Sequence, residues 1–60
     1  MTKTQADAKW THWANTYKQA KTISTTAAKV AQECLDKVRQ ELNREFNTTE
    51  WTIEYYGLIK

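Results

Sequence analysis

The single histidine is one of the two side chains best suited to catalysis in this chain. His12 could act as a general base or bind a metal, but either role needs a second group close by. The only charged residues near it in the sequence are Asp7 and Lys9, and neither stands four residues away. No catalytic triad can be assembled around it. We therefore expect His12 at a solvent-exposed edge or at an interface.

The single cysteine is the other candidate. Cys34 follows Glu33 and precedes Asp36, and neighbouring carboxylates disfavour the reactive thiolate. We expect a small packed apolar residue that reacts slowly with thiol reagents. One cysteine permits no disulfide within the chain, and one histidine without a second soft ligand makes no metal site. With one glycine there is no phosphate-binding loop, and the carboxylates suit solvated faces of helices. The sequence therefore predicts no enzyme, no metal and no cofactor.

An aromatic stripe near the amino terminus is the feature around which the fold is expected to form. Its members are Ala6, Trp10, Trp13, Tyr17 and Ala20, which helical spacing puts on one face. Thr4 is the predicted N-cap of this first helix, which should end near Lys21. So large an apolar surface needs a cover. We therefore predict that Trp13 lies in the core.

A second apolar stripe can supply that cover. It runs from about Thr26 to Phe46, after a stretch in which Ser24 or Thr25 could act as N-cap. Its members are Ala27, Ala31, Cys34, Leu35, Val38, Leu42 and Phe46. In a hairpin about Ser24 the facing pairs are Tyr17 with Ala31, Trp13 with Leu35, Trp10 with Val38, and Ala6 with Leu42. Large residues then face smaller ones, which favours the hairpin over the alternative of one long helix with a weak Ala, Ser and Cys seam.

The carboxy-terminal stretch alternates apolar and polar residues from Trp51 to Tyr55 and is rich in β-branched and aromatic side chains. This pattern predicts a short β-strand, and a lone strand must pair with its copy in a second chain or with a partner's sheet edge. The predicted partner-binding residues are Trp51, Ile53, Tyr55 and Tyr56. The alternative is a third helix capped by Asn47, with Trp51, Tyr55 and Leu58 on its inner face, which would complete a small three-helix bundle.

Charge is unevenly distributed along the chain, although the formal net charge is only +2. Residues 1–30 carry five lysines and one carboxylate, whereas residues 31–60 carry six carboxylates against four lysines and arginines. Lysines interleaved with aromatic residues can bind single-stranded nucleic acid, and this is the alternative function. Its predicted contacts are Lys9, Lys18, Lys21 and Lys29. No apolar run approaches the ~20 residues of a membrane span.

The sequence thus predicts one small, mainly α domain over residues 1–60, a helical hairpin followed by a strand that pairs between chains. We expect a non-enzymatic protein–protein interaction module that acts as a homodimer and binds, or inhibits, a larger protein. In its shortness, its lack of catalytic residues and its aromatic content it resembles small phage or mobile-element proteins that bind a host protein, a resemblance of type that no motif carries. Without a signal-peptide pattern, a cytoplasmic location is expected.

Overall fold

Three α-helices and no strand make up the protein in a computed structural model that describes all residues from 1 to 60: α1 (Lys3–Ile23), α2 (Thr25–Phe46) and α3 (Glu50–Ile59). α1 and α2 form an antiparallel hairpin, and α3 folds back along α2. The Cα atoms span 33 × 18 × 15 Å. The mainly α prediction is confirmed, in its three-helix form. None of the helices combines the length and the hydropathy that crossing a membrane requires.

The hairpin turns at one residue. Ser24 is extended, with φ −164° and ψ 161°, and its Oγ accepts the Ala27 N–H at 3.0 Å. The predicted cap at Ser24 and the predicted hairpin are therefore confirmed, and the single long helix is wrong. At the other end, α1 begins two residues earlier than predicted, because Thr2 and not Thr4 is its N-cap. Gln5 is long enough to accept the Thr2 N–H at 3.0 Å while Thr2 Oγ1 accepts the Gln5 N–H.

The core lies along the seam of the hairpin and under α3. Its buried members are Ala6, Trp10, Ala14, Tyr17, Ala20, Ala31, Leu35, Val38, Leu42, Trp51 and Tyr55. Trp13 was predicted to lie in the core, but its side chain is only half-buried and packs against the edge of this cluster. α3 lies on the side of α1 that carries Ala14, and its residues Gly57 and Leu58 border the same groove as Ala14. The buried arc of α1 is therefore rotated towards Ala14 and away from Trp13.

The predicted carboxy-terminal strand, and its pairing with a copy of itself, are wrong because residues 50–59 form α3. Trp51 and Tyr55, four residues apart, are both buried, while Ile53 between them is 74% exposed. A strand would have put all three on one face. Burying each aromatic is worth about 1.5–3 kcal/mol, whereas the whole β-propensity scale spans about 1 kcal/mol. A helix also satisfies its own backbone hydrogen bonds, which a lone strand cannot do.

The turn between α2 and α3 differs from the predicted helical alternative at its cap. Asn47 adopts the left-handed conformation, with φ 50° and ψ 53°, and ends α2 instead of capping α3. Asparagine is among the few residues that adopt this conformation routinely, so it can stop a helix as glycine does. Thr49 occupies the N-cap position of α3 without a side-chain hydrogen bond of its own. The free N–H groups of α3 are instead bound from neighbouring positions.

Candidate functional site

The two side chains best suited to catalysis, His12 and Cys34, lie on different helices, α1 and α2. The imidazole of His12 is exposed, makes no hydrogen bond within the chain and stands edge-on to the Trp13 ring, 5.4 Å between centroids. Cys34 is half-buried on α2. No group of three or more His, Cys, Asp or Glu side chains is arranged to hold a metal ion.

Charged side chains instead join the helices at their surface. Lys9 Nζ of α1 lies 3.2 Å from Glu41 of α2, and Lys3 Nζ lies 2.7 Å from Glu50 of α3. The hydrogen bond to Glu50 raises the pKa of Lys3 above its usual value. Both pairs link the lysine-rich first half of the chain to the carboxylate-rich second half. They are solvent-exposed, so each contributes little to stability.

The first turn of α3 is hydrogen-bonded to α2 through the side chain of Asn43. Asn43 Oδ1 accepts the Trp51 N–H at 3.2 Å, and its Nδ2 donates to Thr52 Oγ1 at 2.7 Å. Thr48 Oγ1 accepts the Glu50 N–H at 3.2 Å, so the side chains of α2 and of the turn together cap α3. The indole of Trp51 is only 1% exposed.

Further along, α3 is held by polar contacts around its second buried aromatic. Arg39 Nη1 donates to Thr52 Oγ1 at 3.1 Å, and the same guanidinium lies 5.2 Å from the centre of the Tyr55 ring. Gln32 Nε2 donates to Tyr55 Oη at 3.3 Å. Asp36 holds Arg39 from the other side, with Nε 2.9 Å from Oδ1. These contacts with side chains of α2 hold α3 in place although it has only ten residues.

The four predicted partner-binding residues divide between the two faces of this helix. Trp51 and Tyr55 face inward and are buried, so they position α3 and are not available at its surface. Ile53 and Tyr56 face outward, 74% and 49% exposed, and they are adjacent because they stand three residues apart. The Tyr56 ring leans edge-on against Tyr55, 5.4 Å between centroids. We call the exposed pair of Ile53 and Tyr56 the α3 outer face.

The four lysines of the alternative site also separate. Lys9 is engaged by Glu41. Lys21 lies over the Tyr17 ring, 5.6 Å from its centre, and Lys18 borders a groove of about 420 Å³ between α1 and α3. Lys18, Lys21 and Lys29 take part in no ion pair. The aromatics interleaved with them are of little use for stacking on bases, because Trp10 and Tyr17 are buried.

Sequence reasoning missed the residues that fasten α3, Asn43 and Arg39. Both look like ordinary polar positions on the outside of a helix, and the pattern gives no sign of what faces them. One signal was present, because Thr52 is polar between two inward aromatics and needs a hydrogen-bond partner there.

Two exposed features thus stand out, the apolar α3 outer face and the unpaired lysines near Ser24. The first brings together two large apolar side chains on a helix that is already anchored by its other face. The second consists of three lysines, Lys18, Lys21 and Lys29, that take part in no ion pair. Scans of the chain against protein-family models, curated proteins and solved structures find no match.

Proposed function

We propose that this chain is a small non-enzymatic protein–protein interaction module that binds a larger protein through the α3 outer face. The observation that carries the proposal is the exposure of Ile53 and Tyr56, side by side on a short helix. Exposed aliphatic and aromatic side chains at helical spacing are the anchors by which a helix binds in an apolar groove of a partner. Tyrosine is also enriched among residues that dominate binding energy.

The way in which α3 is held against the rest of the protein supports this proposal. A helix of ten residues would be largely unfolded by itself, and a partner would then have to order it on binding. Here Trp51 and Tyr55 are packed in the core and Asn43 caps the first turn, so the outward pair is already held in position. Preorganisation of this kind lowers the entropic cost of association.

The proposal is tested by comparing two isoleucines of nearly equal exposure. Ile53 is 74% exposed on α3, and Ile23 is 76% exposed at the end of α1. A tagged wild-type chain, Ile53→Glu and Ile23→Glu are used to capture proteins from the source cells, and captured proteins are identified by mass spectrometry. We expect a specific partner with wild type and with Ile23→Glu, and its loss with Ile53→Glu. Tyr56→Ala should weaken capture as well, since truncation of a central aromatic anchor costs about 2 kcal/mol or more.

Two results would contradict the proposal. If capture survives Ile53→Glu and Tyr56→Ala, the α3 outer face is not the binding surface. If all variants lose capture while circular dichroism shows them folded, the binding does not depend on this face in particular. The homodimer expected from the sequence would present the face twice, which raises avidity for a multivalent partner.

A second candidate function is nucleic-acid binding, favoured by one specific observation. No Asp or Glu occurs between Asp7 and Glu33, and Lys18, Lys21 and Lys29 in that stretch are without ion pairs. Binding through three lysines would weaken with added salt, with a slope of log K against log salt of about −2 to −3. An oligonucleotide titration at several salt concentrations separates the two functions, because an apolar contact at the α3 outer face has almost no such slope.

A further inference from the structure

The groove of about 420 Å³ between α1 and α3 is bordered by residues of these two helices alone. Its volume lies within the range of ligand-binding pockets, and its floor is apolar. The floor consists of Trp10 and Ala14, which are buried, and Leu58, which is half-buried. Ile53 and Tyr56 do not border it, so the groove is separate from the α3 outer face.

The wall that α3 gives to this groove has a gap at Gly57. Gly57 is the only glycine of the chain, and it lies inside a helix, where glycine is less favourable than alanine. Its φ is not positive, and an added Cβ would meet no heavy atom within 4 Å. Neither backbone conformation nor close packing within the chain therefore calls for glycine here. The missing side chain leaves room for a bound molecule to approach the backbone of α3.

Four polar side chains border the groove, and none has a partner within the chain. Thr11 and Asn15 stand four residues apart on α1, so they follow one another along the groove, and neither side chain makes a hydrogen bond. Lys18 and Glu54 take part in no ion pair. A hydroxyl and a carboxamide both donate and accept hydrogen bonds, which suits the N–H and C=O groups of a peptide backbone.

The two charged side chains lie at opposite ends of the groove. The Lys3–Glu50 ion pair joins the first turns of α1 and α3, and both helices run antiparallel to α2, so they share one direction. At 1.5 Å per residue, Glu54 lies about 6 Å beyond this pair and Lys18 about 22 Å beyond it, a separation of about 16 Å along the groove. Asp7 stands in the cleft next to Glu54 and adds negative charge at that end. A complementary ligand is positive at one end and negative at the other.

We propose that the groove binds a free oligopeptide of three or four residues in extended conformation, with its terminal ammonium at Glu54 and its terminal carboxylate at Lys18. Three or four extended residues span about 10–14 Å, and a charged hydrogen bond of about 3 Å at each end completes the distance. The peptide backbone lies along Thr11 and Asn15 and passes close to Gly57. No residue of the α3 outer face takes part, so the proposal stands independently of partner binding there.

Titration of the ¹⁵N-labelled whole chain with tetra-alanine tests the site by ¹H–¹⁵N correlation spectra. We expect shifts at Thr11, Asn15 and Gly57 that saturate with a dissociation constant of about 1 mM or lower, and the amide of the one glycine is a direct reporter. Dialanine spans only about 7 Å and should bind about fivefold more weakly or worse. Tetra-alanine with acetylated and amidated ends has neither charge and should be weakened likewise. Absence of these shifts up to about 10 mM, or equal binding of the blocked peptide, overturns the proposal.

Charge exchange tests the orientation of the peptide. Lys18→Glu and Glu54→Lys should each raise the dissociation constant about five- to tenfold, because an attraction becomes a repulsion. The double variant exchanges the two charges, so tetra-alanine can bind in the reverse direction and most of the affinity should return. Lys37→Glu makes the same charge change on an exposed position of α2 outside the groove and should leave the constant unchanged. A double variant that binds no better than the single variants overturns the proposed orientation.

Filling the gap in the wall tests the role of the glycine. Gly57→Leu adds a branched side chain where no heavy atom stands within 4 Å, and leucine is a better helix former, so circular dichroism should show the fold intact. The same variant should abolish the binding of tetra-alanine. Binding by Gly57→Leu as tight as that of wild type shows that no ligand approaches α3 at this point and overturns the proposal.

Discussion

Asn43 provides the sharpest test of how α3 is held, and the expected energy can be worked from its contacts. Its side chain accepts the Trp51 N–H and donates to Thr52 Oγ1. Each hydrogen bond contributes about 1 kcal/mol, and leaving the partly buried N–H of Trp51 unpaired adds about 1 kcal/mol. Alanine has the better helix propensity by about 0.6 kcal/mol, which offsets part of the loss. Asn43→Ala should therefore lower the free energy of unfolding by about 2 kcal/mol.

The same substitution in α1 is the matched control. Asn15 is exposed and its side chain makes no hydrogen bond within the chain. Asn15→Ala changes only helix propensity, so it should raise the free energy of unfolding by about 0.5 kcal/mol. The two variants, chemically identical, are thus expected to move stability in opposite directions. At about 0.05–0.15 kcal/mol per residue the whole domain has only about 3–9 kcal/mol, so the loss at Asn43 is easily measured.

Urea unfolding followed by circular dichroism and tryptophan fluorescence gives both values. A double-mutant cycle with Thr52→Val adds the coupling between the two side chains, expected at about 1 kcal/mol. Equal stability of Asn43→Ala and Asn15→Ala, or a coupling near zero, would refute the argument that Asn43 fastens α3. The turn at Asn47 would then be sufficient by itself to hold α3 against α2.

Three further predictions concern α1 and α3. Trp10→Ala should cost about 3–5 kcal/mol, because Trp10 is buried, whereas half-buried Trp13→Ala should cost only about 1–2 kcal/mol; thermal melts of the two variants decide it. Gly57→Ala should stabilise α3 by about 0.5–1 kcal/mol in urea unfolding, because an added Cβ would meet no heavy atom within 4 Å. The pKa of Lys3 is raised by its hydrogen bond to Glu50, so the small stability advantage of wild type over Lys3→Met should be present below the ordinary lysine pKa and lost as the pH rises through the raised value.

The hairpin could be predicted from the sequence because its information is local and repeated. Apolar residues recur at helical spacing over both helices, and Ser24 interrupts them with a side chain that caps the next helix. Both patterns can be read from α1 and α2 alone, because neither depends on where α3 packs. The predicted pairing of residues between α1 and α2 is also correct to within a residue or two. The observed Lys9–Glu41 ion pair lies between the expected pairs Ala6–Leu42 and Trp10–Val38.

The position of α3 could not be predicted in the same way, and the errors follow from that. Whether Trp13 or Ala14 is the more deeply buried depends on which side of α1 receives α3, and no spacing within α1 specifies the side. Likewise Asn43 becomes a cap only because Trp51 and Thr52 arrive next to it. Contacts between distant segments decide both outcomes.

The conformation of residues 50–59 determines which of their groups lie at the surface of the protein. As a strand, this segment would expose its backbone edge to a partner and group Ile53 with Trp51 and Tyr55. As a helix, its backbone is satisfied internally, and only side chains are left for recognition. The helix separates the neighbouring tyrosines, so that Tyr55 is 6% exposed and holds α3 in place while Tyr56 is 49% exposed and joins Ile53. A partner that binds the α3 outer face as proposed would have to offer an apolar groove for two side chains three residues apart, because α3 leaves no open strand edge to which a sheet could add.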